Sequence, residues 1–260
     1  MKTYDELFEM RGSAYDHAMR RFPDARRQEF AQAIEAARLK PGAIVADVPA
    51  GGGYLRQHLP ADCVWLGHEP CASFHAHAST HAEGSDLLPL PWADAGVDAA
   101  ISLAGVHHIE DKRPLFRDLF RVLRPGGRLV VSDVAKDTPE ARFLDGYVGD
   151  HNSTGHEGAF LDAGTLEQLH AAGFDTVQRQ ASHFFWVFPT RNDMAAFCHQ
   201  LFDLRSSSVD DTLEAIESGL GTIDQADGGV GMHWSLLTLV CTKPATLPAT
   251  GADPAATPAP

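Results

Sequence analysis

The segment Ile44-Val45-Ala46-Asp47-Val48-Pro49-Ala50-Gly51-Gly52-Gly53 decides the fold of this chain. It is a short apolar run that ends in an acid and a glycine-rich turn. A second apolar run at 64–67 precedes Glu69, which follows Asp47 by about 20 residues, the spacing of a nucleotide-binding βαβ unit. In such a unit the glycines let the backbone approach a ligand, and the second acid binds ribose hydroxyls. The pattern therefore predicts a nucleoside site on a parallel sheet.

The residues around the turn narrow the choice of ligand. A dinucleotide site needs a third glycine where this chain has Tyr54, Leu55 and Arg56, and a P-loop needs a Gly-Lys-Ser/Thr ending, which is also missing. The acid before the turn, Asp47, repels a phosphate and attracts a cation. S-adenosylmethionine (SAM) has a ribose, a sulfonium cation and no phosphate, so it suits these features.

The same residues resemble a known family. Asp47-x-Pro49-x-Gly51-x-Gly53 resembles the first motif of class I SAM-dependent methyltransferases, with Pro49 in place of the first glycine. The resemblance is to the type 11, ubiquinone-methyltransferase-like group, whose members act on small molecules. Further segments resemble those of the family in the same order: 84–89 at the adenine, 97–103 as the fourth strand, 106–109 with the His-His that often follows it, and 121–131 as helix, turn and fifth strand.

The resemblance implies an α/β, Rossmann-like class I methyltransferase fold. Its sheet is expected to have seven strands and to be mostly parallel, with an antiparallel hairpin at one edge. We expect a single methyltransferase domain over 1–243 and a disordered tail, rich in Pro, Ala and Thr, over 244–260. Within the domain we predict an N-terminal helical cap at 1–39, a SAM-binding core at 40–134 and an inserted helical lid at 190–222.

The resemblance also implies a set of cofactor-binding residues. Glu69 is expected to accept both ribose hydroxyls, since a carboxylate offers two oxygens; otherwise it is a surface acid at a strand end. Asp47 is expected to orient the turn; the alternative is that it only caps the turn. Asp86 is expected to contact the adenine; the alternative is that it is an ordinary loop acid. Tyr15 is expected to cover the cofactor pocket; the alternative is that it only packs its own helix. Arg11 is a candidate for binding the cofactor carboxylate. The predicted cofactor set is Tyr15, Asp47, Pro49, Ala50, Gly51, Gly53, Glu69, Pro70, Asp86, Leu87, Ser102 and Leu103.

Histidines supply the candidate catalytic residues. His107 and His108 follow the predicted fourth strand, and His151 and His156 lie in the polar loop 150–158, all on the face where open α/β sheets bind ligands. A histidine there can take a proton from an acceptor, or it can pack beneath the cofactor. The loop is compatible with a general base, with substrate hydrogen bonds, with a metal site or with a solvated turn. We predict these four histidines as catalytic candidates and no metal ligand.

The amino-acid composition argues against several classes of binding partner. The formal net charge is −14 and the pI is about 5.3, which argues against nucleic acid and against an anionic membrane surface. The four cysteines are scattered without a Cys-x-x-Cys pair, so a reducing compartment is expected and structural zinc is not. The first residues are polar, unlike a signal peptide, and no apolar run is long enough to span a bilayer. We expect a cytoplasmic protein with a small-molecule substrate, and a homodimer stays open.

These observations lead to one prediction of function and two alternatives. We predict a SAM-dependent methyltransferase that transfers a methyl group to an O, N, C or S nucleophile of a small molecule. One alternative keeps the fold and the cofactor but changes the reaction to that of a cyclase, hydrolase or lyase. The other is a SAM-binding subunit without catalysis, against which the polar loop at 150–158 argues.

Overall fold

The computed structural model describes residues 4–74, 86–226 and 228–245. Within these residues, seven strands form one mixed sheet. The predicted apolar runs are strands of this sheet. The strands are β1 (Ile44–Asp47), β2 (Val64–Gly67), β3 (Val97–Leu103), β4 (Leu123–Asp133), β5 (Asp175–Phe188), β6 (Thr222–Asp224) and β7 (Val230–Thr242).

The order of the strands is β2-β1-β3-β4-β7-β5, and β6 pairs with β7. β1 is parallel to β2 and β3, and β3 is parallel to β4, whereas β7 is antiparallel to β4, β5 and β6. Among the described strands, β7 alone points opposite to the other six, so the sheet is mostly parallel, with an antiparallel β5–β7 hairpin at its edge. The predicted fold class is confirmed.

Both faces of the sheet are covered, because neighbouring residues of β1 join different hydrophobic clusters. Val45 packs in one cluster with Phe30 of α2, and Ala46 packs in the other with Phe116 of α3. The α-helices are α1 (Tyr4–Arg21), α2 (Arg27–Ala37), α3 (Arg113–Val122), α4 (Pro139–Phe143), α5 (Gly149–His151), α6 (Ala163–Ala171), α7 (Arg191–Leu201) and α8 (Val209–Gly219). Shorter helical turns are 3-10 at Tyr54–His58, Ala72–Phe74 and Val106–His108 and π at Leu144–Val148.

The glycine-rich turn after β1 has backbone angles that need glycine. Gly51 has a φ of +52° and Gly53 a φ of +74°, in the left-handed region that strains residues with a Cβ. The amide of Ala50 donates to the carbonyl of His68 at 2.9 Å, so the turn lies against the end of β2. The ends of β1 and β2 therefore meet at one edge of the sheet, as their spacing predicts.

The insertion between β5 and β7 packs against the rest of the domain. α7 buries Met194, Phe197 and Leu201 in the same core cluster as Trp186 of β5. Residues 190–222 contain α7, α8 and the first residue of β6, and their action as a lid stays a prediction.

Parts of the sequence-based predictions fall outside the described residues. These parts are residues 1–3 of the predicted cap, residues 75–85 of the predicted SAM-binding core, which include the start of the adenine segment, and most of the predicted tail, at 246–260. In the part of the chain that the structure does describe, no helix combines the length and apolar character needed to cross a membrane.

Candidate functional site

Glu69 is the centre of a small hydrogen-bond network just beyond β2. Its Oε2 accepts hydrogen bonds from the Gly51 amide and the Tyr4 hydroxyl, both at 2.8 Å, and its Oε1 accepts one from the Cys71 amide at 3.0 Å. Burial raises the pKa of the Glu69 carboxyl, although these hydrogen bonds oppose the rise. The carboxylate already takes one hydroxyl donor, and a ribose offers donors of the same kind.

Asp47 is the second buried acid at this edge of the sheet. Its Oδ2 accepts a hydrogen bond from the Trp65 indole N–H at 3.1 Å. Burial raises the pKa of Asp47 to about 8, and the nearby charge of Glu69 adds to the rise. The side chain is therefore largely protonated at neutral pH, and a cationic ligand beside it would favour its ionised form.

A cavity between α1 and the glycine-rich turn, here called the cofactor cavity, is lined by much of the predicted cofactor set. The set members in its walls are Tyr15, Asp47, Pro49, Ala50, Gly51 and Leu103. Tyr4 and Phe8 of α1 also line it, and its volume is about 50 Å³. Most ligand pockets have about 300–1,000 Å³. A nucleoside can therefore enter only if the walls of the cavity open, and Tyr4 and Phe8 of α1 are part of these walls.

The other members of the predicted cofactor set lie outside the cavity walls. Gly53 precedes the 3-10 turn, Pro70 is buried beside Glu69, and Leu87 is half-buried in an apolar cluster. Ser102 is buried in β3, and its hydroxyl has no hydrogen-bond partner among the described residues. Asp86 is exposed, and its carbonyl lies 3.2 Å from His68 Nε2. Contacts of these residues with a cofactor stay predictions.

Three of the four predicted catalytic histidines lie together and are here called the histidine cluster. His107 and His108 belong to the 3-10 turn after β3, and His156 lies in the loop after α5. The ring centroids of His107 and His108 are 4.0 Å apart, and those of His156 lie 5.5 and 5.4 Å from them. One ligand nitrogen from each of the three lies within 4.8 Å of the others. All three residues are only 7–9% exposed.

Two carboxylates orient this cluster. His107 Nδ1 lies 2.7 Å from Asp133 Oδ1, and the His107 amide donates to Asp133 Oδ2 at 3.0 Å. His156 Nδ1 lies 2.8 Å from Asp145 Oδ1, which also accepts the Gly158 amide at 2.8 Å. An ionised carboxylate only accepts hydrogen bonds, so each Nδ1 carries a proton, and in the neutral form of either ring Nε2 keeps its lone pair.

The surroundings disfavour a charge on two of the three imidazoles, those of His108 and His156. Burial, followed by the charges of His107 and His156, lowers the pKa of His108 well below its usual range. Burial also lowers the pKa of His156 to about 4, despite the opposing effect of Asp145. Burial would raise the pKa of Asp133, but the charge and hydrogen bond of His107 outweigh it, and the pKa is lowered. A neutral imidazole, the form favoured for His108 and His156, can accept a proton or bind a metal ion.

The histidine cluster lines a second cavity of about 50 Å³, here called the histidine cavity. Trp186, Phe202 and Trp234 form part of its aromatic wall. The histidine cavity and the cofactor cavity are neighbours, because some residues line both. These shared residues are Phe8, Tyr15, Arg26 and Ala104.

Two buried arginines also reach the histidine cavity. Arg26 forms an ion pair with Glu29 at 2.6 Å, and the Trp186 indole donates to Glu29 at 2.7 Å. Arg11 is 4% exposed, and within the described residues its Nε and Nη1 have no hydrogen-bond partner. Burial lowers the pKa of Arg11 to about 10, so the guanidinium stays charged at neutral pH. A buried cation with two unused donors suits an anionic ligand group.

His151 is the predicted catalytic residue that lies apart. It ends α5, its Nδ1 is 3.0 Å from the Ser206 hydroxyl, and its ring lies 4.8 Å from that of Tyr147. Its carbonyl accepts the amide of Arg205 at 2.7 Å. These contacts tie His151 to the insertion and leave it outside the walls of the histidine cavity, so its catalytic role stays a prediction.

Sequence reasoning missed several residues of the site. Asp133 did have a signal, because it ends the apolar strand β4 as Asp47 ends β1. Asp145 lies in a helical turn without a motif around it. Tyr4 and Phe8 look like ordinary packing residues of an N-terminal helix. Only the fold brings Asp145, Tyr4 and Phe8 to the two cavities.

Comparison with known proteins agrees with this geometry. Residues 46–131 match the family described as methyltransferase domain. The match runs from β1 into β4 and includes the glycine-rich turn, Glu69 and His107. Residues 46–131 belong to a methyltransferase domain of the class I SAM-dependent type.

Relatives of this methyltransferase act on different acceptors. It is 30% identical over 160 residues to an arsenite methyltransferase of Halobacterium salinarum, across 55% of this chain and 40% of that protein. It is 31% identical over 123 residues to phosphoethanolamine N-methyltransferase 1 of Arabidopsis thaliana, across 42% of this chain and 25% of that protein. The chain thus covers less than half the length of either relative. Other relatives carry tRNA methyltransferase names.

The fold of this methyltransferase resembles a solved structure in complex with SAM. That structure is phosphoethanolamine N-methyltransferase 2 of Haemonchus contortus, with a TM-score of 0.61 and 15% identity, across 94% of this chain and 60% of that one. At this identity the likeness concerns the fold alone. SAM is the cofactor of the methyltransferase family that residues 46–131 match.

Proposed function

We propose that this methyltransferase transfers the methyl group of SAM to a small molecule bound in the histidine cavity. The observation that carries the proposal is the shared wall of the two cavities. Because Phe8, Tyr15, Arg26 and Ala104 line both, a ligand in one cavity lies directly beside a ligand in the other. Methyl transfer needs the two ligands to be adjacent, since alignment of methyl donor and acceptor supplies much of the rate enhancement.

The residues around the cofactor cavity fit SAM. Glu69 offers two oxygens to adjacent ribose hydroxyls, and it already accepts the hydroxyl of Tyr4. The left-handed glycines Gly51 and Gly53 allow close approach of the backbone. Asp47 supplies a carboxylate that a cationic group can ionise. Binding would replace the Tyr4 hydroxyl on Glu69 and move the start of α1 outward.

The walls of the histidine cavity favour a small acceptor with an apolar or aromatic part. The rings of Trp186 and Trp234 stack with centroids 4.5 Å apart, and Phe202 lies next to Trp186. Aromatic walls with a few polar groups are typical of small-molecule sites. A net charge of −14 is opposite to the basic footprint that tRNA requires. We therefore favour a small molecule over tRNA as acceptor.

In the methyl-transfer step, the cofactor would supply the methyl group and residues of the chain would handle the proton of the acceptor. When bound, SAM supplies an electrophilic methyl group, whose bond to sulfur breaks as the bond to the acceptor forms. His107 and His156 keep a lone pair on Nε2, because Asp133 and Asp145 hold the Nδ1 protons. Either imidazole can remove a proton from an O–H, S–H or ammonium acceptor. The aromatic walls exclude water, and Arg11 is available for an anionic group.

The test of the proposal separates methyl transfer from other uses of SAM. The full chain is incubated with SAM that carries an isotopically labelled methyl group and with separate pools of phenols, amines, thiols and carboxylic acids. We expect S-adenosylhomocysteine and a labelled acceptor in equal amounts, without a second protein. Methylthioadenosine would instead indicate a cyclase, hydrolase or lyase. Binding of SAM without turnover in any pool would favour a non-catalytic subunit.

We also propose that the protein works in the cytoplasm. Its four cysteines, all within the described residues, are free thiols, and Cys71, Cys198 and Cys241 are buried. Unpaired cysteines are usual in a reducing compartment. A homodimer stays a prediction, which sedimentation of the full chain tests.

A further inference from the structure

We infer that the histidine cluster binds a divalent transition-metal ion, with Zn²⁺ as the ion to test. Among the described residues, His107, His108 and His156 form a group of three side chains whose ligand atoms lie within 4.8 Å of one another. Three protein ligands are enough for a catalytic zinc site, which keeps its fourth position open for water or substrate. The sequence alone predicts no metal ligand, because His156 is distant in the chain and only the fold brings it to His107 and His108.

The hydrogen bonds of two of these histidines are those expected of metal ligands. A metal-bound histidine nearly always donates its other ring N–H to a carboxylate or carbonyl, which fixes its tautomer and orientation. Asp133 Oδ1 lies 2.7 Å from His107 Nδ1, and Asp145 Oδ1 lies 2.8 Å from His156 Nδ1. The Nε2 atoms of both rings are therefore left as ligands.

The size of the cluster allows the ion after a small adjustment. With Zn–N bonds of about 2.0–2.1 Å, two ligand nitrogens of a tetrahedral site lie roughly 3.3 Å apart. The three ligand atoms lie within 4.8 Å of one another, so at most a small closing movement of the rings is needed. Rotation of the His108 side chain can provide this movement, since its ring packs against Phe8 and no hydrogen bond to another described residue fixes it.

The charges around the cluster also suit a cation. Asp133 and Asp145 are hydrogen-bonded to the cluster, and their two carboxylates can balance a divalent ion. Arg11 lines the same cavity and adds one positive charge. An anionic acceptor atom on the fourth position of the ion would compensate Arg11. The ion and Arg11 together thus fit an acceptor with an ionisable oxygen or sulfur.

The role of the ion rests on the proposed function in one respect, the location of the acceptor. A divalent ion lowers the pKa of an oxygen or sulfur that binds to it, so the acceptor can lose its proton to water at neutral pH. With the ion bound, the three imidazoles are ligands and no longer bases. Binding of the ion itself does not depend on methyl transfer.

Calorimetric titration of the chelator-treated full chain with Zn²⁺ tests the inference. We expect one Zn²⁺ per chain in the wild type and at least tenfold weaker binding in His108→Gln and His156→Gln. Asp133→Asn should weaken binding by about 10- to 100-fold, because Asp133 only orients His107. The matched control is His183→Gln, which changes an exposed histidine of β5 and should bind as the wild type does.

Two further measurements make the result decisive. Circular dichroism identifies variants that do not fold, and Asp133→Asn then replaces a histidine variant that fails. Absorption of bound Co²⁺ reports tetrahedral coordination in the wild type and should change in His108→Gln. No Zn²⁺ binding by the folded wild type, or equal binding by all folded cluster variants, would overturn the inference. S-adenosylhomocysteine binding, measured in parallel, tests the proposed function separately, since its loss would leave the metal result intact.

Discussion

The hydroxyl of Tyr4 donates a hydrogen bond of 2.8 Å to Glu69 Oε2, on the carboxylate that we assign to the cofactor ribose. One turn later in α1, Phe8 packs against His108 with ring centroids 5.1 Å apart. The start of α1 therefore touches both the cofactor site and the histidine cluster. We expect the entry of either ligand to displace these two aromatic side chains.

Replacement of Tyr4 by Phe removes the hydroxyl that competes for Glu69. We expect S-adenosylhomocysteine to bind up to about tenfold more tightly, because a hydrogen bond to a charged group contributes roughly 1.5 kcal/mol or more. Calorimetry measures the change. Tyr147→Phe is the control, since the Tyr147 hydroxyl contacts Thr212 at 3.1 Å, away from both cavities. Weaker binding in Tyr4→Phe would mean that the hydroxyl assists the cofactor instead of competing with it.

Arg11→Met should separate stability from ligand binding. The change keeps an apolar stem and removes a buried guanidinium with two unpartnered nitrogens. An unsatisfied buried polar group costs roughly 1–3 kcal/mol, so we expect the unliganded variant to unfold at a higher urea concentration. Its KM for an anionic acceptor, or its Kd for the cofactor, should rise at least tenfold. Lower stability with unchanged KM and Kd would make Arg11 a structural residue.

The sequence predicts much of this fold because its signals are local. The apolar runs of β1 to β4, the two acids and the glycine-rich turn each depend on neighbouring residues only. The positions of His107 and His108 after β3 follow from the same pattern. The positions of His151 and His156 could not be predicted in the same way, because residue spacing in a loop does not determine where each side chain points. His151 ends α5 and contacts Ser206, whereas His156 contacts Asp145. Contacts across elements, such as that of Tyr4 with Glu69, have no local signal.

Asp47 gives stability a pH dependence of defined sign. Its pKa is raised from 3.8 to about 8 in the folded chain, so between these values only the folded state holds the proton. The contribution of this proton to the free energy of unfolding is fully present below pH 3.8. It is lost as the pH rises towards 8, by at most about 1.4 kcal/mol per pH unit. Urea midpoints of the wild type should therefore fall more steeply over this range than those of Asp47→Asn. If the urea midpoints of the wild type and of Asp47→Asn fell equally steeply with pH, the raised pKa would be contradicted.

Residues 190–222 are predicted to act as a lid, and their two helices differ in burial. α7 buries a long apolar face, whereas α8 buries only Thr212 and Ile216. We therefore expect the amides of α8 to exchange with solvent faster than those of α7. S-adenosylhomocysteine together with an acceptor should slow the exchange of α8. Strong and equal protection of both helices in the unliganded chain would argue against a lid.

Calorimetric titration of the wild type and of Glu69→Ala with S-adenosylhomocysteine tests the central claim most directly. Glu69 is the carboxylate to which we assign the ribose, and its two oxygens provide charge-assisted hydrogen bonds. The account predicts a loss of binding free energy on the order of 2 kcal/mol or more in Glu69→Ala. Glu35→Ala, which removes an exposed acid of α2, should bind as the wild type does. Equal affinity of the wild type and Glu69→Ala would contradict the account.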